Sequence, residues 1–136
     1  MISKQRNKFS ASEKLKSRKQ IEQLFREGKS FSNFPFRVLW LYNDQQQAAL
    51  QAGFTVGTKN FKHAVDRNRI KRLMREAYRL QKNDLFQHLA DNKKRLMIFF
   101  IYVGNELPEY DLMFEKTGHV LRRLKKLIDE NNTADS

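Results

Sequence analysis

Arg67-Asn68-Arg69-Ile70-Lys71-Arg72-Leu73-Met74-Arg75-Glu76-Ala77-Tyr78-Arg79 lies at the middle of a 136-residue chain. At about 100° per residue, Leu80, Leu73, Ala77, Ile70 and Met74 share one aliphatic arc of a helix. The opposite arc, roughly 140° wide from Arg67, carries Tyr78, Lys71, Arg75, Asn68, Arg79 and Arg72. The pattern predicts a helix over about 64–81 with a dry face and a cationic ridge. Asp66 falls in its first turn, where a carboxylate meets the positive end of the helix dipole. A merely solvated face mixes charge signs to gain i,i+4 pairs. This one stacks Arg67, Lys71, Arg75 and Arg79 at that spacing, a self-repulsion that a phosphate backbone relieves. The Asn68 amide both donates and accepts, which suits a phosphate, a 2′-hydroxyl or a base edge.

Outward from this helix the pattern changes period. Ala49 to Val56 reads as a strand, with Leu50, Ala52, Phe54 and Val56 on one face, and Gly57 to Lys62 as a basic loop. Phe34 to Tyr42 reads as a strand that is apolar on both faces, with Pro35 at its start. The polar run Asn43 to Gln47 is a turn, and the simplest connection pairs these two strands as a meander. Ser17 and Gln20 have capping-box spacing and Gly28 sits at a helix end, which predicts a helix over about 18–27 with Ile21, Leu24 and Phe25 on one stripe. After the ridge, Asn83-Asp84 marks a break and 85–91 a further helical turn or two. Leu96 to Val103 is a continuous apolar run, hence a buried strand, and residues 112–129 form a last amphipathic helix. The residues alone give α-β-β-α-β-α, an α+β sandwich. Residues 1–16 are expected to be a flexible basic arm, 17–130 a single domain and 131–136 a disordered tail.

Charge is uneven along the chain. Residues 1–82 hold 19 basic and 6 acidic side chains, whereas 83–136 hold 8 and 9, within a formal net charge of +12. A chain that is 40% hydrophobic and 12% aromatic has too much apolar surface for a disordered basic tail. With no cysteine there is no disulfide framework, thiolate nucleophile or cysteine-ligated zinc. The longest apolar run is far short of the roughly 20 residues of a membrane span. Met1 to Lys19 lacks the apolar core of a secretory signal, so a cytoplasmic location and no membrane partner are expected.

Catalytic equipment is sparse. His63, His88 and His119 have no metal-site spacing, and the acids of the basic half stand singly among cations. Glu106, Glu109, Asp111 and Glu115 cluster in sequence but read as a loop and helix start. No Walker loop is present. No catalytic residue, protein-held metal or protein partner is expected. The aromatics before the ridge, Phe25, Phe31, Phe34, Phe36, Trp40 and Phe54, exceed what one buried strand face needs, so some are candidates for stacking on unpaired bases. On these grounds alone, a non-catalytic RNA-binding module such as a ribosome-associated protein also fits.

Phe54-Thr55-Val56-Gly57-Thr58-Lys59 followed by Ala64-Val65-Asp66-Arg67-Asn68-Arg69-Ile70-Lys71-Arg72-Leu73-Met74-Arg75-Glu76-Ala77-Tyr78-Arg79 resembles the bacterial ribonuclease P protein subunit. Leu15 to Arg18 and Phe25 to Ser30 are similar to that family's first helix and following turn, and the resemblance spans about residues 12–128. It implies an α-β-β-β-α-β-α fold with a central mixed sheet and a left-handed β-α-β crossover, the extra strand falling near Ser30 to Ser32. It also implies that a catalytic RNA, with Mg2+, removes the 5′ leader of precursor tRNA, with the RNA and the precursor as partners. By position, Lys59, Arg67, Asn68, Arg69, Lys71, Arg72, Arg75 and Arg79 would bind RNA. Ile21, Phe25, Phe36, Leu39 and Trp40 would be candidates for a leader cleft. Ile21 and Leu39 stand where the family often has aromatics, and the loop Asn60 to His63 is one residue longer than in some members.

Overall fold

Leu96–Tyr102 is apolar or aromatic at every position because it is an inner strand with both faces covered. The computed structural model describes residues 8–135, and side chains as far as residue 130. The elements are α1 (Arg18–Glu27), β1 (Lys29–Asn33), β2 (Phe36–Tyr42), β3 (Leu50–Val56), α2 (Ala64–Gln81), α3 (Asn83–Asp91), β4 (Leu96–Tyr102) and α4 (Tyr110–Asp135), after a short 3-10 turn at Ala11–Glu13. The sheet order is β1-β2-β4-β3. β4 runs antiparallel to β2 and parallel to β3, so the sheet is mixed.

The expected meander of β2 with β3 is therefore wrong. The last strand inserts between them, because only a strand with two apolar faces fills an inner position without exposing either. The strand near Ser30 to Ser32 is present as β1, an edge strand antiparallel to β2. Phe34 and Pro35 belong to the tight turn joining β1 to β2 rather than to β2 itself.

Side-chain alternation splits the core in two. Phe36, Val38, Trp40, Leu50, Ala52, Leu96, Ile98 and Phe100 face α2, α3 and α4, whose Ile70, Met74, Leu85, Leu89, Val120 and Leu124 close the larger cluster. Leu39, Met97 and Phe99 face the other way, against Leu24 of α1 and Leu15. Burying a leucine of this kind contributes about 1.5–3 kcal/mol. Leu24, the one fully buried residue of α1, anchors the helix to the sheet. Ser17 caps that helix by accepting the Gln20 N–H at 3.3 Å. Gly28 ends it at φ −70°, outside the left-handed region, and what it provides is room: a Cβ would lie 2.8 Å from Leu24 Cδ1 and 3.2 Å from the Trp40 carbonyl.

Residues 8–16 of the expected arm pack against the rest of the fold. Leu15 is buried, its N–H donates to the Ala52 carbonyl at 3.0 Å, and Lys14 bridges to the open edge of β3. Phe9 packs edge-on against Tyr78 and Phe54. Glu13 meets buried Lys82 Nζ at 2.5 Å. These contacts explain why Tyr78, placed on the cationic arc by helical geometry alone, is wholly buried: the N-terminal segment covers that side of α2. Residues 1–7 of the expected arm lie outside the described residues. α4 reaches Asp135, into the stretch 131–136 expected as a tail; the side chains from 131 onward and Ser136 lie outside the described residues.

Candidate nucleic-acid interface

Two surfaces emerge, one cationic and one aromatic. The cationic surface starts at the loop between β3 and α2. Asn60 donates to the Gly104 carbonyl at 3.2 Å, and the buried Phe61 ring packs on Tyr102. Arg67 Nη1 donates to the carbonyls of Phe61 and Lys62, both at 2.8 Å. The loop is thus pinned at three points, with Lys59 exposed on it. Arg67 is turned back into the loop as a clip, so its main contacts are internal.

Along α2 the exposed cations are Arg69, Arg72 and Arg75, with Asn68 among them and Lys71 half-buried. Among the described residues none of these four cations has a carboxylate partner. Arg79 does have one. It holds Glu76 through both nitrogens of its fork, at 3.0 Å from Nε and 2.5 Å from Nη2, and that bond raises its pKa above the usual arginine value. The uncompensated ridge is therefore Asn68 to Arg75, shorter than the sequence pattern indicated.

The aromatic surface lies on the sheet face opposite α2. Across the strands, Leu39, Phe99 and Gly53 form one row, and Arg37, Ile101 and Thr55 the next. Gly53 leaves space for the Phe99 ring, since a Cβ there would stand 2.7 Å from Phe99 Cδ1. Phe25 of α1 meets that ring edge-on at 5.7 Å while remaining 57% exposed. α1 and the sheet thus border a candidate cleft: the Phe25 ring is exposed at its side, Ile21 is half-buried beside it, and Phe99 and Leu39 lie buried beneath them. Ile101, Thr55 and the exposed Arg37 form the next row of the same sheet face. A flat apolar ring beside an available guanidinium is what an unpaired base and its phosphate require.

The five cleft candidates do not stay together. Ile21, Phe25 and Leu39 share this face. Phe36 and Trp40 point through the sheet into the larger core, 1% and 5% exposed, and do not line the cleft. Period-2 alternation had already put them on the face opposite Leu39. Phe99, Ile101, Arg37 and Thr55 were missed. Their signal was register: once Leu39 is taken as a cleft residue, its neighbours across the sheet share its face. Among the described residues no three His, Asp or Glu side chains gather to hold a metal, and Glu106, Glu109, Asp111 and Glu115 stay apart in that sense. No helix is long and apolar enough to cross a membrane among the described residues.

The family model for ribonuclease P matches residues 9–126. The chain belongs to the ribonuclease P protein family. It is 41% identical over 103 residues to the ribonuclease P protein component of Porphyromonas gingivalis, covering 75% of each chain. The solved RNase P protein of Thermotoga maritima superposes with a TM-score of 0.64 at 28% identity, over 82% of this chain and 96% of that one. The Staphylococcus aureus RNase P protein has the same fold, with a TM-score of 0.68 at 23% identity over 83% and 95%. The membership makes this chain a component of a tRNA-processing ribonucleoprotein with endoribonuclease activity. The α+β fold with its mixed four-stranded sheet agrees with those structures.

Proposed function

We propose that this chain binds the catalytic RNA of ribonuclease P through the ridge of α2 and holds the 5′ leader of precursor tRNA in the cleft between α1 and the sheet. The observation that carries the reading is the row Arg69, Arg72 and Arg75, exposed and without carboxylate partners among the described residues, in a member of this family. Self-repulsion on a helix face is compensated when phosphates replace the missing acids, and each phosphate met releases counterions. Lys59 and Lys71 extend the same surface. Arg67 holds the loop that presents Lys59, acting as a positioning residue. In the cleft, Phe25 offers a ring face to a leader base and Arg37 a guanidinium to its phosphate. The chain's own residues neutralise, clamp and orient; the RNA with its Mg2+ supplies the bond-breaking groups.

Reconstitution tests this. The purified chain alone should leave precursor tRNA intact, and adding it to the cognate RNA should lower the Mg2+ concentration needed for cleavage. Cleavage by the protein after complete removal of RNA would refute the reading.

A further inference from the structure

The end of the sheet where β1 begins, β2 ends and β4 begins carries a second set of cations outside the ridge and the cleft. β2 sends Trp40 and Tyr42 to one face, and their rings meet edge-on at 5.8 Å. Lys29 Nζ stands 5.3 Å from the Trp40 ring centre, and Lys94 Nζ stands 4.9 Å from that of Tyr42. Next to them, Lys93, Lys94 and Arg95 line an open groove with Asp44 and Gln47. Arg95 Nη1 donates to the Asp44 carbonyl at 2.8 Å, which fixes its guanidinium at the rim. Lys93 sits at φ 56°, turning the chain so that the Lys94 N–H closes on the Leu89 carbonyl at 2.9 Å.

Two features set this patch apart from ordinary surface lysines. Ring faces and a carbonyl hold three of its four cations, Lys29, Lys94 and Arg95, in place. None of Lys29, Lys93, Lys94 and Arg95 has a carboxylate ion-pair partner among the described residues. Asp44, which also lines the groove, forms no ion pair with any of them among the described residues. Cations that have already lost freedom to a protein surface bind a polyanion at less further entropic cost.

We propose that Lys29, Lys93, Lys94 and Arg95 form a second phosphate-binding surface that takes the sugar–phosphate backbone of an RNA. It lies at the other end of β4 from the loop that leads to Arg67, Asn68 and Arg69. The seven residues of β4 set those ends about 20 Å apart, more than twice the Debye length of roughly 8 Å at physiological salt. The patch and the loop end of the ridge, at Lys59 and Asn68, therefore act on separate stretches of backbone. The proposal rests on the RNA-binding reading above. The phosphate could belong to the catalytic RNA or to precursor tRNA.

The test is the salt dependence of binding for Lys29→Gln with Lys93→Asn, a pair that leaves the Lys94–Tyr42 and Arg95–Asp44 contacts intact. Asn tolerates the left-handed backbone at position 93. A second variant, Lys94→Gln, covers a folding failure of the first, and melting curves accompany both. Arg69→Gln with Arg72→Gln runs in parallel as the ridge control. Each lost phosphate contact removes about 0.7–0.9 from the slope of log affinity against log salt, so from 50 to 200 mM salt the patch pair should lose about tenfold less affinity than the native chain. A reduced slope for the catalytic RNA alone assigns the patch to that RNA. A reduced slope seen only when precursor tRNA binds the assembled holoenzyme assigns it to the substrate. Unchanged slopes for both, with the ridge control still reduced, overturn this proposal and leave the RNA-binding reading standing. Unchanged slopes in all variants overturn both.

Discussion

Gly53→Ala probes the cleft floor from beneath. The new Cβ would stand 2.7 and 2.8 Å from Phe99 Cδ1 and Cε1, and 3.1 Å from the Leu15 carbonyl oxygen. Carbon atoms rest at about 3.5–4.0 Å, so the ring must move by about 1 Å. It has little room to do so, being 7% exposed and packed with Leu24, Leu39 and Met97. The Leu15 backbone is equally fixed by its bond to Ala52. Overpacking of this kind costs typically 1–3 kcal/mol. Alanine recovers about 0.5–1 kcal/mol of backbone entropy relative to glycine, which is the smaller term. The net expectation is a loss of about 1–2 kcal/mol, a fall in Tm of roughly 4–8 °C for a chain of this size. Because Phe25 rests on Phe99 at 5.7 Å, the displaced ring should also weaken leader binding by the assembled holoenzyme while leaving affinity for mature tRNA unchanged. Thermal melting and paired binding to the two tRNAs check this. An unchanged or higher Tm with native leader affinity would show that Phe99 does not depend on the space above Gly53.

Three further outcomes are expected. Phe25→Ala should cost little stability, since the ring is 57% exposed, but should remove about 1–3 kcal/mol of leader affinity if it stacks on a base, read as melting against leader binding. Arg67→Ala should lower stability by about 1.5–3 kcal/mol through its two loop carbonyls, whereas Arg69→Ala with Arg72→Ala should leave Tm within 1–2 °C and flatten the salt slope by about one or two contacts; equal effects of the two variants on Tm would contradict the division of roles. Tyr78→Phe removes a buried hydroxyl with no hydrogen-bond partner among the described residues and should be neutral or stabilising. Burial first, and then Glu13, raises the Tyr78 pKa above its ordinary value of 10.0. Above pH 10 the unfolded chain releases that proton and the folded one keeps it, so stability falls as pH rises. The Phe variant should lose less stability there, with Tyr102 and Tyr110, shifted in the same direction, contributing to what remains; urea titrations at pH 8 and pH 11 measure the difference.

The sequence was most legible where one period ran without interruption. α2 came out at 64–81 because its aliphatic arc is unbroken, and β4 as a buried strand because its apolar run is short and continuous. Legibility ended where a distant segment decides burial. Phe9 and Leu15 stand alone in a polar, basic stretch, and only the edge of β3 and the side of α2 make them core residues. The same contact buries Tyr78, which helical geometry by itself leaves among the arginines. Strand order was hidden for a similar reason: nothing local in β2 or β3 shows that β4 will come between them. In the candidate site, charge spacing marked the ridge but not that Arg67 and Arg79 already have partners, because their acceptors lie on the chain itself at short range. Cleft membership needed one rule applied strictly, that Phe36 and Trp40 cannot share a face with Leu39.

The most direct test of the two-surface account is a short photo-crosslinker placed singly at position 72 and at position 25 in the holoenzyme bound to precursor tRNA. Position 72, on the exposed ridge, should couple to the catalytic RNA, and position 25, in the cleft, to the 5′ leader. Coupling of position 72 to the leader, or of position 25 to the catalytic RNA alone, would contradict it.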